Sequence, residues 1–297
     1  MAALADSRER PAADVIVPFL GSAESLRGLV ARLAGLDLRD SDTVTIADNR
    51  PAGEPDTAGA GRVRVVRAPE RRSSYHARNA GAATGANPWL VFLDGDVQAP
   101  PDLLDRYLCD SPGDRTGVLA GGVRDEVVGT SASGVARYLE LRQSMDQANT
   151  LDLGEWGYAQ TANCAVRRAA FDDVGGFCAD VRSGGDADLC FRIRAAGWGT
   201  ERRDGASVVH HNRTSLRKLL RQRARHGAGA AWLAQRYPGS FPSRSWPGLA
   251  KWAAVSMAAA GADAARGRRD DALVHAIEPL AVWAQEIGRR LPNAAPR

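Results

Sequence analysis

Two periods of hydrophobicity alternate along the first hundred residues. Val15-Ile16-Val17, Val44-Thr45-Ile46, Val63-Arg64-Val65-Val66 and Leu90-Val91-Phe92-Leu93 are short apolar runs, the pattern of buried strands. After the first, Ser22 precedes Leu26, Leu29, Val30 and Leu33, whose i, i+3, i+4, i+7 spacing puts them on one helical face. A small-residue helix is expected over residues 74–84, and residues 50–61, rich in Gly, Pro and Ala, form a loop. Strands alternating with helices predict βαβ units in an α/β fold, with ligand loops at the carboxyl ends of parallel strands. Asp48 closes the second strand and Asp94 and Asp96 follow the fourth, so the three share one edge.

Beyond residue 109 the pattern loosens. Val118-Leu119-Ala120 reads as a strand, residues 135–147 as a helix, and residues 151–160 as a loop carrying Trp156 and Tyr158. Phe171, Val174 and Phe177 surround a tight Gly175-Gly176 turn. Asp186-Ala187-Asp188 opens a helix with Leu189, Ile193 and Ala196 on one face, ended by Gly197. Ser207-Val208-Val209 is a strand that stops at His210. Ser215 starts an amphipathic helix with Leu216, Leu219, Leu220 and Ala224 on one stripe and Arg217, Arg221 and Arg225 on another. A Pro/Ser/Gly/Trp linker then leads to two Ala-rich helices, residues 249–266 and 270–289.

Composition narrows the class. With 297 residues and 44% hydrophobic content the chain can bury a sizeable core, as one large domain with or without an appendage. Basic residues number 39 against 35 acidic, and a pI near 9.1 alone does not imply nucleic acid. The basic charge gathers between Arg213 and Arg225, six Lys/Arg with no acid, but no aromatic residues interleave as a nucleic-acid surface requires. Three readings of that run stay open: a solvated face, a lid over a diphosphate, or a surface for anionic lipid. Cys109, Cys164, Cys178 and Cys190 form no Cys-x-x-Cys pair, which points to free thiols and no structural zinc. Residues 1–11 lack the apolar core of a signal peptide and read as a frayed tail. Residues 252–262 are uncharged but fall well short of the roughly 20 residues a membrane span needs. A cytoplasmic protein is expected, with peripheral contact at the inner face of the membrane as an alternative. The Ala/Arg/Gly-rich composition suggests a GC-rich bacterial genome.

The chemistry concentrates at Asp94-Gly95-Asp96. A buried strand ending on two carboxylates separated by a residue without a side chain presents both at the sheet's carboxyl edge, where open α/β folds bind ligands. Mg²⁺ and Mn²⁺ favour one or two carboxylates with substrate phosphates completing the shell, so the pair suggests a metal holding a diphosphate. A solvated strand end is the structural alternative.

Seven motifs in fixed order resemble family 2 glycosyltransferases with the Rossmann-like, nucleotide-diphosphosugar-binding GT-A fold. They are Val15-Ile16-Val17-Pro18; Ile46-Ala47-Asp48-Asn49; Ala77-Arg78-Asn79-Ala80-Gly81; Phe92-Leu93-Asp94-Gly95-Asp96; Val174-Gly175-Gly176-Phe177; Gly185-Asp186-Ala187-Asp188-Leu189; and Val209-His210 followed by Arg213-Thr214-Ser215-Leu216. The resemblance implies a mixed, mainly parallel sheet flanked by helices in a catalytic domain over residues 12–237, with a linker and C-terminal helical region over residues 238–297. It implies that Pro18, Asp48, Arg78, Asp94 and Gly95 meet the nucleotide sugar. Asp96 and His210 would bind Mn²⁺ or Mg²⁺, with Asp94 as a further ligand and His211 as the fallback for His210. Asp186 matches the general base of an inverting transfer of one hexosyl unit to an acceptor hydroxyl. Asp188 would order the loop.

Structural alternatives sit beside these roles: a turn at Asp48-Asn49, an ion pair for Arg78, a packed histidine for His210, and a helix N-terminal acid for Asp186. The chain departs from the family pattern at Gly185, where a Glu is common, and at Pro18-Phe19-Leu20-Gly21, after the first strand. Gln222-Arg223-Ala224-Arg225-His226 only partly resembles the signature of processive synthases, which favours single addition. The acceptor is open among a glycan, a lipid-linked species and a small molecule. The C-terminal helices are expected to dock on the catalytic domain, with a homodimer or a membrane surface as alternatives. Two rival functions are a catalytically silent nucleotide-sugar-binding protein and a sugar-1-phosphate nucleotidyltransferase. The latter lacks support, since no Arg or Lys follows the first strand before Arg27.

Overall fold

The structure is a computed structural model that describes residues 10–52, 59–126, 133–211 and 215–296. Strands β1 (Ala13–Phe19), β2 (Thr43–Asp48), β3 (Val63–Arg67) and β4 (Trp89–Leu93) are parallel and lie in the order β3-β2-β1-β4. The chain moves outward from β1 to β3 and then crosses back to β4 on the other side of β1. That reversal leaves a crevice above the carboxyl ends of β1 and β4, the place where open α/β sheets take ligands. Beyond β4 the sheet becomes mixed. β7 (Asn163–Arg167) runs antiparallel between β4 and β6 (Thr116–Glu126); β8 (Gly199–His211) is parallel to β6, and the two-residue β5 (Val97–Gln98) closes the edge against β8.

Alternation along the strands feeds two cores. Val15, Val17, Val91 and Leu93 join one with α1 (Ala23–Leu33) and α3 (Leu103–Leu108). Ile16, Leu90 and Phe92 join the other with α2 (Ser74–Ala82), α6 (Arg168–Asp173) and α7 (Gly185–Ala195). Each large side chain taken fully from water contributes about 1.5–3 kcal/mol, so both faces must stay covered. Ser22 caps α1 by accepting from the Ser25 amide at 3.1 Å, and Leu26, Leu29, Val30 and Leu33 are its buried face, as their spacing predicts.

The middle segment departs from expectation. The helix expected over residues 135–147 stops earlier: α4 (Gly134–Arg142) ends at Gln143, whose φ of 41° is left-handed. Its side-chain amide donates to the Glu140 carbonyl at 2.8 Å and bonds the Asp125 backbone, so it ends the helix instead of continuing it. A four-residue helix, α5 (Ala148–Leu151), follows. The strands expected at residues 118–120 and 207–209 are longer, because β6 and β8 pair with each other along most of their length.

The C-terminal region packs onto this body. α8 (Leu216–Arg236) is crossed by α10 (Arg269–Gly288), which also lies against α4, while α9 (Trp246–Ala265) packs on α10. The α8–α10 crossing is backbone on backbone. A Cβ at Gly227 would stand 1.9 Å from the Gln285 carbonyl oxygen, and one at Gly288 would stand 2.0 Å from that of Ala224. Among the described residues no helix is long and apolar enough to cross a membrane.

Residues 1–9 lie outside the described residues, but Arg10 is buried. Its guanidinium grips Asp42 at 3.0 and 2.6 Å and reaches Asp105 at 2.5 Å, which orders the chain before β1.

Candidate active site

A cavity of about 1100 Å³ opens over the carboxyl ends of β1 and β4. Pro18, Phe19, Asn49 and Arg78 line it together with Asp94, Gly95 and Asp96, and so do Thr161, Asp186 and His210. Residues of α8 and α10, among them Gln222, Arg223, Glu278 and Gln285, form a further wall. Seven of the eight residues singled out from the sequence therefore meet around one space.

The eighth, Asp48, does not reach it. Its side chain is 0% exposed, held by Arg50 at 2.7 Å and Arg67 at 2.5 Å, and Asn49 lines the cavity in its place. Burial opposes its charge, but the two guanidiniums outweigh burial and hold the carboxyl below its usual range. Parallel register sets Arg67 opposite Asp48, so the pair follows from the strand alignment. Contact with a nucleotide from this acid requires one of the arginines to yield.

Asp94 accepts from Arg78 at 2.5 Å. Burial lifts its pKa, Arg78 opposes that, and the neighbouring Asp96 adds to it. Arg78 is itself nearly buried, with its guanidinium 5.7 Å from the Tyr75 ring centroid and its Nε without a hydrogen-bond partner. A buried donor left over beside a cavity suits an anionic ligand. Asn79 instead locks the Gly175-Gly176 turn, donating to the Phe177 carbonyl at 2.8 Å and accepting from its amide at 2.9 Å.

His210 stands at the end of β8 opposite Asp125, as parallel register demands, and its Nδ1 bonds the buried Asp125 carboxylate at 2.9 Å. Its Nε2 faces Asp96 Oδ2 at 3.6 Å. Burial works against a charged ring, but Asp125 and Asp96 outweigh it and push the pKa up to about 9. A carboxylate behind one imidazole nitrogen, with the other nitrogen facing a second carboxylate, is the arrangement that orients histidine as a metal ligand. Among the described residues no group of three His, Cys, Asp or Glu side chains converges as a metal site, so a metal here would need phosphate oxygens or water for its remaining ligands. The side chain of His211 and the Arg213-Thr214 motif lie outside the described residues.

Asp186 sits in the first turn of α7, and its Oδ2 accepts from the Thr161 amide and hydroxyl, both at 3.2 Å. Those bonds fix one oxygen of the carboxylate. Asp188 is buried and held by Arg192 at 2.7 Å, Arg236 at 3.0 Å and the Tyr237 hydroxyl at 2.7 Å, so it ties α7 to α8. Gly185 has no room for a side chain, since a Cβ would lie 2.7 Å from Tyr75 Cζ. The Tyr75 ring fills that space, stacks on Phe177 at 5.5 Å, and has its pKa raised by burial and then by Asp186, to which its hydroxyl bonds. Tyr75, Thr161 and Asp125 escape sequence reasoning because each acts through a partner remote in the chain. The register of β6 against β8 is the one signal for Asp125, and only the folded sheet provides it.

The model of the family described as Glycosyl transferase family 2 matches residues 14–175. The chain belongs to glycosyl transferase family 2. One relative of this family 2 chain, the pre-mycofactocin glycosyltransferase of Mycobacterium tuberculosis, is 32% identical over 229 residues, covering 75% of this chain and 48% of that protein. The chain thus spans about half the length of that curated relative. Glycosyltransferase AglE of Haloferax volcanii is 25% identical over 241 residues, covering 76% of each. Among solved structures, the mannosyltransferase PcManGT from Pyrobaculum calidifontis in complex with GDP-Man and Mn²⁺ superposes with a TM-score of 0.62 at 18% identity, covering 94% of this chain and 87% of that one. The shared architecture is the GT-A fold, with the C-terminal helices added.

Proposed function

We propose that this chain transfers one sugar from a nucleotide diphosphosugar to an acceptor hydroxyl, with inversion and with Mn²⁺ or Mg²⁺ bound. The observation that carries this reading is the convergence, in one cavity, of Asp94 and Asp96 with His210 and of a separately held carboxylate, Asp186. The donor lies above the β1–β4 crevice, where Pro18, Asn49 and Gly95 leave the floor open and Arg78 offers an unsatisfied donor to phosphate. Asp96 and His210 would hold the metal, with Asp94 able to join them. When bound, it supplies positive charge against the departing diphosphate. Asp125 holds His210 with Nε2 turned toward Asp96. Asp186, steadied by Thr161, accepts the proton of the attacking hydroxyl. Attack from the side opposite the leaving group inverts the anomeric centre. The relatives named glycosyltransferases and the mannosyltransferase fold that holds GDP-Man and Mn²⁺ support the reading.

The test is donor turnover. Purified protein is incubated with a panel of nucleotide diphosphosugars, with Mn²⁺ or with EDTA, and nucleotide diphosphate release and product anomeric configuration are measured. Metal-dependent release with an inverted product is expected. Retention of configuration, or equal turnover in EDTA, removes the mechanism.

A further inference from the structure

We infer that residues 293–296 are a positioning strap for Asp186, a role that rests on the proposed reading of Asp186 as the base. They run beside the segment that leads into α7, with Ala294 bridging Val181 in antiparallel sense. The Arg182 amide donates to the Asn293 carbonyl at 2.8 Å, and the Ala295 amide donates to that of Asp180 at 2.7 Å. The Asn293 side-chain amide donates to the Ser183 carbonyl at 2.9 Å. From the opposite side, the Arg72 amide donates to the Pro296 carbonyl at 2.9 Å, and Pro296 itself lines the cavity. The strap therefore joins the loop before α2 to the loop before α7, the two walls that flank the site.

The segment it grips needs an external hold. Gly184, with φ of 86°, and Gly185 join it to Asp186, and two successive glycines give the chain little stiffness of its own. Ser73 Oγ, donating to the Val181 carbonyl at 3.0 Å, is a side-chain tether from the α2 loop, and Leu233 packs on Gly184 from α8. Residues 293–295 add three of the hydrogen bonds that fix residues 180, 182 and 183. Asp186 follows three residues after Ser183, so loosening the strap moves its carboxylate relative to the donor. The donor pocket at Pro18, Arg78 and Asp94 keeps its own contacts.

Three proteins distinguish this role from general packing: the full chain, a chain ending at Pro292, and Asn293→Ala. Hydrogen exchange of the backbone over residues 180–186 should accelerate at least tenfold in the shortened chain, and less in Asn293→Ala, with exchange over β1–β4 unchanged. Turnover at saturating donor should fall roughly ten- to hundredfold, the penalty of misplacing a reacting group by about an ångström, while nucleotide diphosphate affinity stays within twofold. A peptide of residues 290–297 added at millimolar concentration should restore part of the lost turnover. Unchanged exchange over residues 180–186 overturns the strap whatever the activity. Full-length protein inactive on every donor overturns the transferase reading and leaves the exchange result as the measure of the strap. Exchange that accelerates without loss of turnover in an active enzyme overturns the positioning role.

Discussion

Two sets of residues around the cavity are built in different ways. Pro18, Asn49, Arg78, Asp94 and Asp96 come from the consecutive strand–helix units of the first hundred residues. In the other set, His210, which faces Asp96 at 3.6 Å, leans on Asp125, 85 residues away, and the segment before Asp186 leans on Asn293, 110 residues from Ser183. The first set is placed by where short buried strands stop, the second by contacts between distant segments. Substitutions at the first should act on the ligand they touch, whereas the second should respond to changes far from the chemistry.

The largest expected effect is at Asp186. Asp186→Asn keeps its size and its bonds to Thr161 but cannot take a proton, so turnover should fall about 10²- to 10⁴-fold, the usual range for a general base. Nucleotide diphosphate affinity, read by calorimetry, should be unchanged. If affinity collapses and turnover survives, Asp186 belongs to the donor site and the two sets are not separate.

What the sequence conveys follows the same division. Short apolar runs, the Ser22 cap and a run of small residues locate β1 to β4, α1 and α2 closely because these signals are local. The residues that stop those strands fall where ligands bind, which is why Asp94 and Asp96 stand out. Asp48 carries the same signal but folds into an ion pair with Arg50 and Arg67, and strand position alone does not show which acids are neutralised. His210 and Asp186 are legible only through resemblance. Their partners Asp125, Thr161 and Tyr75, and the strap at residues 293–296, are illegible because no sequence period encodes contacts between remote segments.

A second contrast separates stability from chemistry. Asp42 lies away from the cavity and is paired with buried Arg10, while backbone amides of Ala13 and Arg39 also bond it. Burial raises its pKa, yet Arg10 and those amides win and hold it below the ordinary value. Asp42→Asn leaves Arg10 with the partly exposed Asp105 alone and should cost about 3 kcal/mol of stability, the lower end for breaking a buried pair. A depressed folded-state pKa stabilises fully above the unfolded value near ~3.9 and is lost as pH falls through the folded value. The gap between wild type and variant, from urea unfolding, should be constant near neutrality and close below about pH 4. Activity per folded molecule should not change.

Asp125→Asn tests the proposed metal ligand His210, with an effect of intermediate size. It keeps a hydrogen-bonding atom beside His210 Nδ1 but removes the charge behind the imidazole. Loss of such a partner typically weakens metal binding about 10- to 100-fold. Calorimetric titration of Mn²⁺ in the presence of a nucleotide diphosphate measures it. An unchanged affinity would show that His210 is a packed histidine and that the metal is held from the Asp94–Asp96 side alone.

The smallest effect is a coupling energy, and it bears on whether the segment at Asp186 is packed by remote contacts. Gly185 fits because the Tyr75 ring occupies the space a side chain would fill, with Cζ at 2.7 Å and both Cε atoms at 2.8 Å from an added Cβ. Tyr75 is buried and stacked on Phe177, so its ring cannot swing aside freely. Gly185→Ala should therefore cost about 1–3 kcal/mol as an overpacked site. In a Tyr75→Ala background the ring that supplies the three nearest atoms is gone. The double variant should then be more stable than the sum of the two single losses allows, with a coupling of roughly 1 kcal/mol. Urea midpoints of the four proteins give the cycle directly. Strict additivity would mean that the backbone at Gly184-Gly185 moves without regard to Tyr75, and the carboxylate of Asp186 would then have no fixed neighbour from α2.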